Sequence, residues 1–565
     1  FVSCNDYLDV TLLDQLTQDE TFSKRVSTEQ YLAHVYSYLP REYEYLEEGS
    51  AVPRSDEAMF SWYQWVNYLS FNNGSWGPST PNYNIWKAKY TGIKQASIFM
   101  NHVDECLEID SETRRIMKAE ARFLRAYYYF ELFRQYGPVY IWGDIESDEL
   151  IKPETIDRHT VDENVNFIAE EYDKAIAELP AEISDFTKWA GRITKGAAMA
   201  AKARLMLYAA SPLYNGCDLL YGAFLFPQSP DPQKWEKAAK AAKDVIDMNI
   251  YELYKDQTEA DPLLRAIKSY QGVLFEEWNK ETIWGAWGRN PTNTGLGAIG
   301  FYLYSRCMPP RVCELGVGGF CPSLKLVDTY PMAKSGRYPV TGYDNNGNPV
   351  IDEQSGYTNT GFTENFKQPG VSFAPGFKAH NSCVGRDARF YASVFPNGFY
   401  WINQYKGIKQ VTFFTGGSSS YLESGDCVKV GYMWRRPLDP ALNTESGSWG
   451  TVFWPYFRLA EIYLDYAEAC NEKPERNETE ALKYINLVRE RSGLNALETA
   501  YPEVKGNKDL LRMLIQKERM VELAFEGHRY YDARRWMIAQ QEFPGPEYSL
   551  NLLATSYEDS WSRTS

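Results

Sequence analysis

Apolar residues recur three and four positions apart over much of the chain, most clearly between residues 117 and 142. This spacing is that of an α-helix with a buried face, and many of the apolar positions are aromatic, including Phe123 and Tyr127. Gly137 and Pro138 end the pattern, because glycine accepts the left-handed conformation at a helix C-terminus and proline cannot continue a helix. The sequence therefore predicts a long helix at the centre of a helical core.

The same spacing predicts helices on both sides of this segment. Thr160 and Glu163 form the sequence pattern of a capping box and predict a helix start. Trp86 lies on the apolar stripe of a helix at 82–107 and is predicted to be part of the core. The other predicted helices cover residues 28–39, 160–179, 194–210, 235–246, a segment beginning at 454, 477–493 and 508–525.

Helical spacing almost disappears between residues 255 and 453, apart from 323–330, and Gly, Pro, Asn and Trp become frequent. A structureless loop of this length is uncommon in a compact domain. We therefore predict a mainly α protein: an N-terminal helical scaffold at 1–254 with an aromatic loop at 51–85, an irregular lobe of short strands, turns and small helices at 255–453, and a C-terminal helical scaffold at 454–565.

Composition and charge restrict the function. The net charge is −16 and the pI is near 5.1, which argues against a nucleic-acid partner, since nucleic acid selects basic surfaces. No run of about 18 apolar residues occurs, so no membrane-spanning helix is predicted. Ser3 and Cys4 resemble the end of a bacterial lipoprotein signal, in which the cysteine receives a lipid; a cysteine unrelated to any signal is the alternative.

The remaining cysteines do not predict a metal site. No CxxC pair occurs, and the group Cys307, Cys313 and Cys321 has no histidine nearby, so structural zinc is not expected. A disulfide within 307–321 stays open, because spacing alone does not assign pairs. No metal ion or other cofactor is predicted.

Motifs for catalysis are weak. Glu518 and Glu522 share the apolar face of a predicted helix and could form an acid/base pair. The favoured interpretation is a pair of buried acids neutralised by nearby arginines, because buried charges persist when they are paired; the candidates are Arg519, Arg529, Arg534 and Arg535. Residues 295–300 match GxGxxG but follow no apolar strand, which indicates a loop. We predict no enzyme, although plentiful acids leave a glycoside hydrolase open.

Loops that interleave aromatic and polar residues are the positive signal. Sugar rings stack on Trp and Tyr, while their hydroxyls take hydrogen bonds from Asp, Asn and Arg. For each aromatic residue taken singly, packing within the lobe is the alternative. The predicted ligand-binding residues are Asp56, Trp62, Trp65, Asn73 and Trp76 in the aromatic loop, and Trp284, Trp287, Arg289, Asn290, Tyr302 and Arg306 in the irregular lobe.

Four segments together resemble the SusD/RagB family, the surface glycan-binding lipoproteins of Bacteroidetes. They are FLRAYYYFELFRQYGPVYI at 123–141, PSLKLVDTYPM at 322–332, FRLAEIYLDYAEACNE at 457–472 with ALKYINLVRERSGL at 481–494, and LIQKERMVELAFEGHRYYDARRW at 514–536. The start CNDYLD at residues 4–9 is also similar to the mature N-terminus of the family, which strengthens the lipoprotein interpretation.

The resemblance implies a tetratricopeptide-like helical scaffold with an irregular ligand-binding lobe. It also implies a lipid anchor on Cys4, a position on the extracellular face of the outer membrane, and delivery of captured oligosaccharide to a SusC-type TonB-dependent transporter. Asp56 lies where family members often place an acid that contacts ligand. Peptide capture, as in the RagB branch, is the alternative among binding proteins.

Overall fold

The computed structural model describes residues 16–40, 52–61, 74–77, 79–81, 83–144, 157–217, 223–287, 303–421, 425–446, 449, 453–543 and 547–564. The chain forms two compact units: unit 1 contains residues 1–39, 85–205 and 224–226, and unit 2 contains residues 40–84, 206–223 and 227–565. The predicted boundaries at 254 and 453 both fall within unit 2, so the irregular lobe and the C-terminal helices belong to one unit.

Unit 1 is helical over most of its described residues. The capping box is confirmed, because the Thr160 hydroxyl accepts a hydrogen bond from the Glu163 amide at 3.2 Å and the Glu163 carboxylate accepts one from the Thr160 amide at 2.7 Å. The helices are α1 (Gln18–Ser23), α2 (Arg25–Tyr36), α3 (Trp86–His102), α4 (Ser111–Tyr136), α5 (Val161–Glu178), α6 (Phe186–Trp189) and α7 (Lys195–Ala210), which continues into unit 2.

The predicted central helix is confirmed as α4. The Asp110 side chain caps its start by accepting a hydrogen bond from the Thr113 amide at 2.9 Å. Gly137, at φ +77°, ends it. Its aromatic residues are buried, and the helix packs against both α3 and α5. Burial on several sides explains why the C-terminal half of this helix is so rich in aromatic residues.

The helices of unit 2 lie both within the irregular lobe and on either side of it in the sequence. They are α8 (Gln233–Ile246), α9 (Pro262–Phe275), α10 (Leu324–Thr329), α11 (Ala388–Ser393), α12 (Leu459–Glu472), α13 (Glu478–Arg491), α14 (Leu497–Ala500), α15 (Lys508–Glu522), α16 (Arg529–Arg535) and α17 (Ala539–Glu542). α12 packs against α8, α13 and α15, as expected for a helical scaffold. α9 was not expected, because it lies in the segment for which the sequence predicts almost no helical spacing. The helix predicted from 454 begins only at Leu459, because the residues before it form a strand.

The strands form two-stranded antiparallel pairs, which confirms the prediction of short strands with turns and small helices. Short 3₁₀-helices, such as Ser305–Cys307 and Thr444–Ser446, lie between them. The pairs are β1 (Ala58–Phe60) with β3 (Phe320–Pro322), β2 (Thr282–Trp287) with β10 (Phe453–Arg458), β4 (Val340–Tyr343) with β5 (Pro349–Ile351), β6 (Phe362–Phe366) with β7 (Phe377–His380), β8 (Val394–Pro396) with β9 (Tyr432–Trp434), and β11 (Ser549–Leu550) with β12 (Arg563–Thr564).

Two further expectations concern thiols and membranes. Cys307, Cys313 and Cys321 are free thiols, so the disulfide left open at 307–321 is not formed in this structure. Within the ranges that the structure describes, no helix combines the length and the apolar character needed to cross a bilayer.

Candidate functional site

The acids that most resembled a catalytic pair are structural. Glu518 and Glu522 are fully buried on α15, and both are ion-paired with arginines. They belong to a buried ion network of five arginines and five carboxylates: Arg389, Arg436, Arg458, Arg489 and Arg491 with Glu281, Asp387, Glu518, Glu522 and Glu526. The prediction of buried acids neutralised by arginines is therefore confirmed.

The arginine partners differ from those that the sequence suggested. Arg519 pairs with Asp465 and with Asp532. Arg529 and Arg535 also pair with other acids, Arg535 with Glu468 at 2.6 Å. Arg534 donates a hydrogen bond to the Tyr530 hydroxyl at 3.2 Å. Closeness in the sequence therefore does not decide which arginine pairs with which acid. Contacts between different elements of the fold decide it.

The ionisation of these acids argues against general-acid chemistry at this place. Burial alone would raise the pKa of Glu522, but Arg491, Arg458 and Arg389 more than offset that effect and hold its pKa below the usual value. A general acid of a glycosidase needs a raised pKa and contact with substrate. Glu522 is fully buried and its pKa is lowered, so it lacks the raised pKa that a general acid needs.

Asp56 is buried, which corrects its prediction as a ligand contact. Its carboxylate accepts two hydrogen bonds from the Arg529 guanidinium, each 2.7 Å long, and lies 2.8 Å from the Lys325 ammonium. Burial alone would raise the pKa of Asp56, but the two cations hold it below its usual value. The carboxylate thus fastens residues 52–61 to α10 and α16 and takes a structural role in place of the predicted one.

Trp284 is also part of the core, at 1% exposure. It lies on β2 opposite Phe457 of β10, and its ring centroid is 4.5 Å from that of Tyr456. Burial corrects its prediction as a ligand-binding residue and favours the alternative of packing within the lobe. Pairing of the two strands buries it.

Trp287, at the end of the same strand, is 38% exposed. Its indole nitrogen donates a hydrogen bond to the exposed Glu277 carboxylate at 2.6 Å, and the edge of its ring meets Trp278 at a centroid distance of 5.3 Å. These contacts fix the ring while part of it faces solvent. An apolar ring face beside a carboxylate acceptor is the combination that sugars require.

Trp76 is 46% exposed. It precedes a tight turn in which the Gly77 and Thr80 amides donate to each other's carbonyls at 3.2 and 3.0 Å. The turn holds the backbone beside the indole. Trp76 therefore meets the condition of exposure that the ligand-binding prediction requires, and its role in binding stays a prediction.

Arg306 does not lie on the surface, which corrects the expectation that it offers hydrogen bonds to a ligand. It belongs to the 3₁₀-helix Ser305–Cys307 and is buried. Burial lowers its pKa to about 10, because the charged form loses its hydration. The other predicted binding residues, Trp62, Trp65, Asn73, Arg289, Asn290 and Tyr302, lie outside the described residues, as does Cys4.

Trp86 departs from its prediction in the opposite direction. It is the first residue of α3 and is 38% exposed, although it was predicted to be core. Its ring packs against Tyr90 and Tyr136 at centroid distances of 5.0 and 5.3 Å, and the Arg158 guanidinium lies 6.0 Å over it, yet the residue stays partly exposed. A helical stripe predicts burial poorly at the first turn, because that turn lies at the end of the element.

A groove in unit 2 was not predicted. It is shallow, with room of only about 20 Å³ for the centres of water-sized molecules, and its lining comes from residues around 308–313, 401–409 and 442–445. Trp401 and Tyr405 contribute its aromatic rings, and Asn403 and Lys409 contribute polar groups. The sequence YWINQYK at 400–406 carries the same interleaving of aromatic and polar residues that marked the other loops, so the signal was present.

Comparison with known proteins agrees with this architecture. The sequence profile described as the SusD family matches residues 280–562, and a profile described as "Starch-binding associating with outer membrane" matches residues 6–207.

Two curated relatives from Formosa agariphila match short stretches. SusD-like protein P2 is 35% identical over 102 residues, which are 17% of this chain and 20% of that protein. SusD-like protein P25 is 43% identical over 93 residues, which are 16% of this chain and 17% of that protein. The matches thus span a fifth or less of these relatives.

Solved structures show the same fold over nearly the whole chain. A SusD-like protein from Bacteroides fragilis has a TM-score of 0.72 at 24% identity, covering 96% of this chain and 92% of that one. A SusD-like carbohydrate-binding protein from the same species has a TM-score of 0.66 at 19% identity, covering 94% of this chain and 89% of that one. A laminarin-binding SusD-like protein has a TM-score of 0.54 at 18% identity, covering 92% of this chain and 93% of that one.

The fold expected from the resemblance is therefore confirmed as mainly α and tetratricopeptide-like. The SusD profile covers half of the chain, and its match includes the irregular lobe after residue 280 together with the C-terminal helices. This chain belongs to the SusD family.

Proposed function

We propose that this protein is a non-enzymatic glycan-binding lipoprotein of the outer membrane. It captures oligosaccharide on the extracellular face and delivers it to a SusC-type TonB-dependent transporter. Membership of the SusD family supports the proposal, as does the profile described as starch-binding and associated with the outer membrane. The laminarin-binding relative has the same fold and binds a glycan.

The observation that carries the proposal is the surface pair of Trp287 and Glu277. The indole keeps part of its face open, and the exposed carboxylate beside it can accept hydrogen bonds from sugar hydroxyls. The Trp278 ring and the hydrogen bond hold the indole in place, which lowers the entropic cost of binding. Trp76 supplies a second exposed indole in the aromatic loop.

The decisive measurement is calorimetric titration with oligosaccharides selected on a glycan array. We expect Trp287→Ala, and also Trp76→Ala, to weaken binding about tenfold or more, because truncating a well-placed interface aromatic costs about 2 kcal/mol or more. Melting temperatures should change little, since both rings are partly exposed.

Trp86→Ala is the matched control, because Trp86 has the same exposure as Trp287 but lies in unit 1, outside the predicted ligand loops. Full affinity in both test variants, or an equal loss in the control, would place the ligand elsewhere. Binding of a peptide pool in preference to glycans would favour the RagB type of function. Release of shorter sugars during the titration would indicate a hydrolase.

A further inference from the structure

The exposed pair of Trp287 and Glu277 carries a negative charge as well as an aromatic ring. The Glu277 carboxylate is exposed and accepts a hydrogen bond from the Trp287 indole nitrogen at 2.6 Å, which places the charge at the edge of the ring. Trp287 itself is 38% exposed. A ligand that lies against the indole therefore lies close to a carboxylate that can pair with a cationic group.

Glu277 has no cation of the protein beside it. Within the ranges of the chain that the structure describes, no basic side chain forms an ion pair with its carboxylate. Lys280, the nearest basic residue in the sequence, lies 3.6 Å from the Glu252 carboxylate instead. This differs from the buried network, in which each carboxylate is matched by arginine. An exposed carboxylate without such a partner favours a ligand group of positive charge.

A second carboxylate adds negative charge to the same region. Burial raises the pKa of the Tyr304 hydroxyl above its usual value. The negative charges of Asp439 and Glu277 raise that pKa further, so both carboxylates lie near one hydroxyl group. Asp439 is exposed, and among the described residues no basic side chain forms an ion pair with it. Two acids without a basic partner therefore act in the region of the exposed pair.

The indole and the carboxylate are held in a fixed arrangement. Trp278 directly follows Glu277, and its ring meets the Trp287 ring at a centroid distance of 5.3 Å and the Phe453 ring at 5.1 Å. Trp278 adopts φ +55°, a left-handed conformation that is uncommon for a residue with a side chain. Such a conformation persists where the surrounding contacts determine it. The turn that carries Glu277 is thus fixed against the end of β2, and little freedom is lost when a ligand binds.

We propose that the pair of Trp287 and Glu277 recognises an amino sugar, whose ring stacks on the indole while its ammonium group pairs with the Glu277 carboxylate. The inference rests on the proposed glycan-binding function and adds the charge of the substrate. The indole also attracts the ammonium group, because the face of an aromatic ring is electron-rich. A neutral sugar of the same shape would keep the stacking contact and lose both electrostatic contributions.

The test uses two probes that share their rings, linkage and length and differ in charge. One is an oligosaccharide of glucosamine, which carries ammonium groups in mildly acidic buffer, and the other is its N-acetylated form, which is neutral. Both are titrated calorimetrically into the full-length protein. Because the acetyl group makes contacts of its own, the decisive quantity is the change in the ratio of the two affinities on substitution. Added salt should lower the affinity for the glucosamine probe and leave that for the neutral probe unchanged.

Glu277→Gln removes the charge and keeps an amide oxygen that can accept the indole hydrogen bond, so the ring should stay in place. We expect it to weaken binding of the glucosamine probe about fivefold, as for the loss of one exposed ion pair, and to leave the neutral probe unchanged. Glu276→Gln is the matched control, because Glu276 is equally charged and exposed but does not contact the indole nitrogen. It should leave both affinities close to those of the wild type.

The outcomes distinguish this inference from the function on which it rests. If Glu277→Gln weakens both probes alike, or neither, the amino-sugar inference is wrong and the glycan-binding function stands. The same conclusion follows if the wild type binds other glycans and neither probe, or if Glu276→Gln acts as Glu277→Gln does, because the net charge of −16 would then explain the effect.

Two further results would overturn both proposals. If a lysine-rich peptide binds more tightly than any glycan and loses affinity in Glu277→Gln, the ammonium group belongs to a peptide. If the wild type binds no glycan at all, the proposed function itself fails.

Discussion

Substitution of Glu522 by glutamine removes one negative charge from the buried ion network and leaves the size of the side chain almost unchanged. The network contains five arginines and five carboxylates, so its charges balance in the wild type. In the variant it carries one uncompensated positive charge in the interior. Glu281 continues to pair with both Arg458 and Arg491, but it cannot neutralise two cations.

The size of the effect follows from burial. Glu522 contacts Arg389 at 3.0 Å and Arg458 at 2.7 Å, and it also pairs with Arg491. Removing one partner from a buried pair costs about 3–5 kcal/mol, because the remaining charge stays desolvated. An exposed pair contributes at most about 1 kcal/mol. Glu490, which pairs with Lys255 at 3.2 Å on the surface of unit 2, therefore provides the matched control.

The assay is urea denaturation of the wild type, Glu522→Gln and Glu490→Gln at neutral pH, followed by tryptophan fluorescence. We expect a large fall in the midpoint only for Glu522→Gln. The pKa of Glu522 is lowered in the folded state, so its stabilisation is present above the unfolded value of 4.5 and is lost as the pH falls below it. The difference between wild type and variant should therefore shrink in acid.

Two results would refute this reasoning. Equal midpoints for Glu522→Gln and Glu490→Gln would show that the buried network does not stabilise unit 2. An unchanged midpoint with loss of a glycan-hydrolysing activity would make Glu522 catalytic. Addition of Arg491→Met to Glu522→Gln removes the uncompensated charge, so the double variant should lose less stability than the sum of the single variants.

Two other predictions concern pH and anchoring. Burial raises the pKa of Glu57 to about 8 from 4.5, so between these pH values the folded protein keeps a proton that the unfolded chain releases. Relative to Glu57→Gln, the stability of the wild type should therefore fall by up to about 1.4 kcal/mol per pH unit across that interval. Parallel profiles of stability against pH for the two proteins from pH 4.5 to 8 would contradict this. If Cys4 is lipidated, the full-length protein in its native host should partition into detergent with added mass on Cys4, and Cys4→Ala should be released; retention of that variant on the membrane would contradict the anchor.

Local signals in the sequence were sufficient for many of the helices, although α9 (Pro262–Phe275) lies in the segment where helical spacing was not expected. The central helix α4 follows from its own apolar period and from Gly137, and the helix α5 follows from the capping box at Thr160 and Glu163. These features act within a few residues of one another, so the information needed to predict them is contiguous. The fold class and the core of unit 1 could therefore be predicted.

Exposure of the predicted binding residues could not be predicted, because it depends on distant partners. Trp284 and Trp287 lie on the same strand, in which residues 282–285 are all buried and exposure increases only towards the C-terminal end. The burial of this strand depends on its pairing with β10, which comes from a distant part of the sequence. Asp56 is withdrawn from the surface by Arg529, which is 473 residues away in the sequence.

The pairing of buried charges shows the same limitation. Arg389 reaches Glu518 from 129 residues away, whereas Arg519, directly beside Glu518, pairs with other acids. The groove could not be predicted for a different reason. Its residues at 400–406 interleave aromatic and polar side chains as the loops at 51–85 and 284–306 do, and composition alone does not rank one such loop above another.

The balanced network also sets an order for folding during synthesis. Its arginines, from Arg389 to Arg491, leave the ribosome before Glu518, Glu522 and Glu526. Until the last of these carboxylates has been made, burying the arginines would strand positive charge in an apolar interior. Unit 2 is therefore expected to remain open during most of its translation and to close in one late, cooperative step once the segment 518–526 is available.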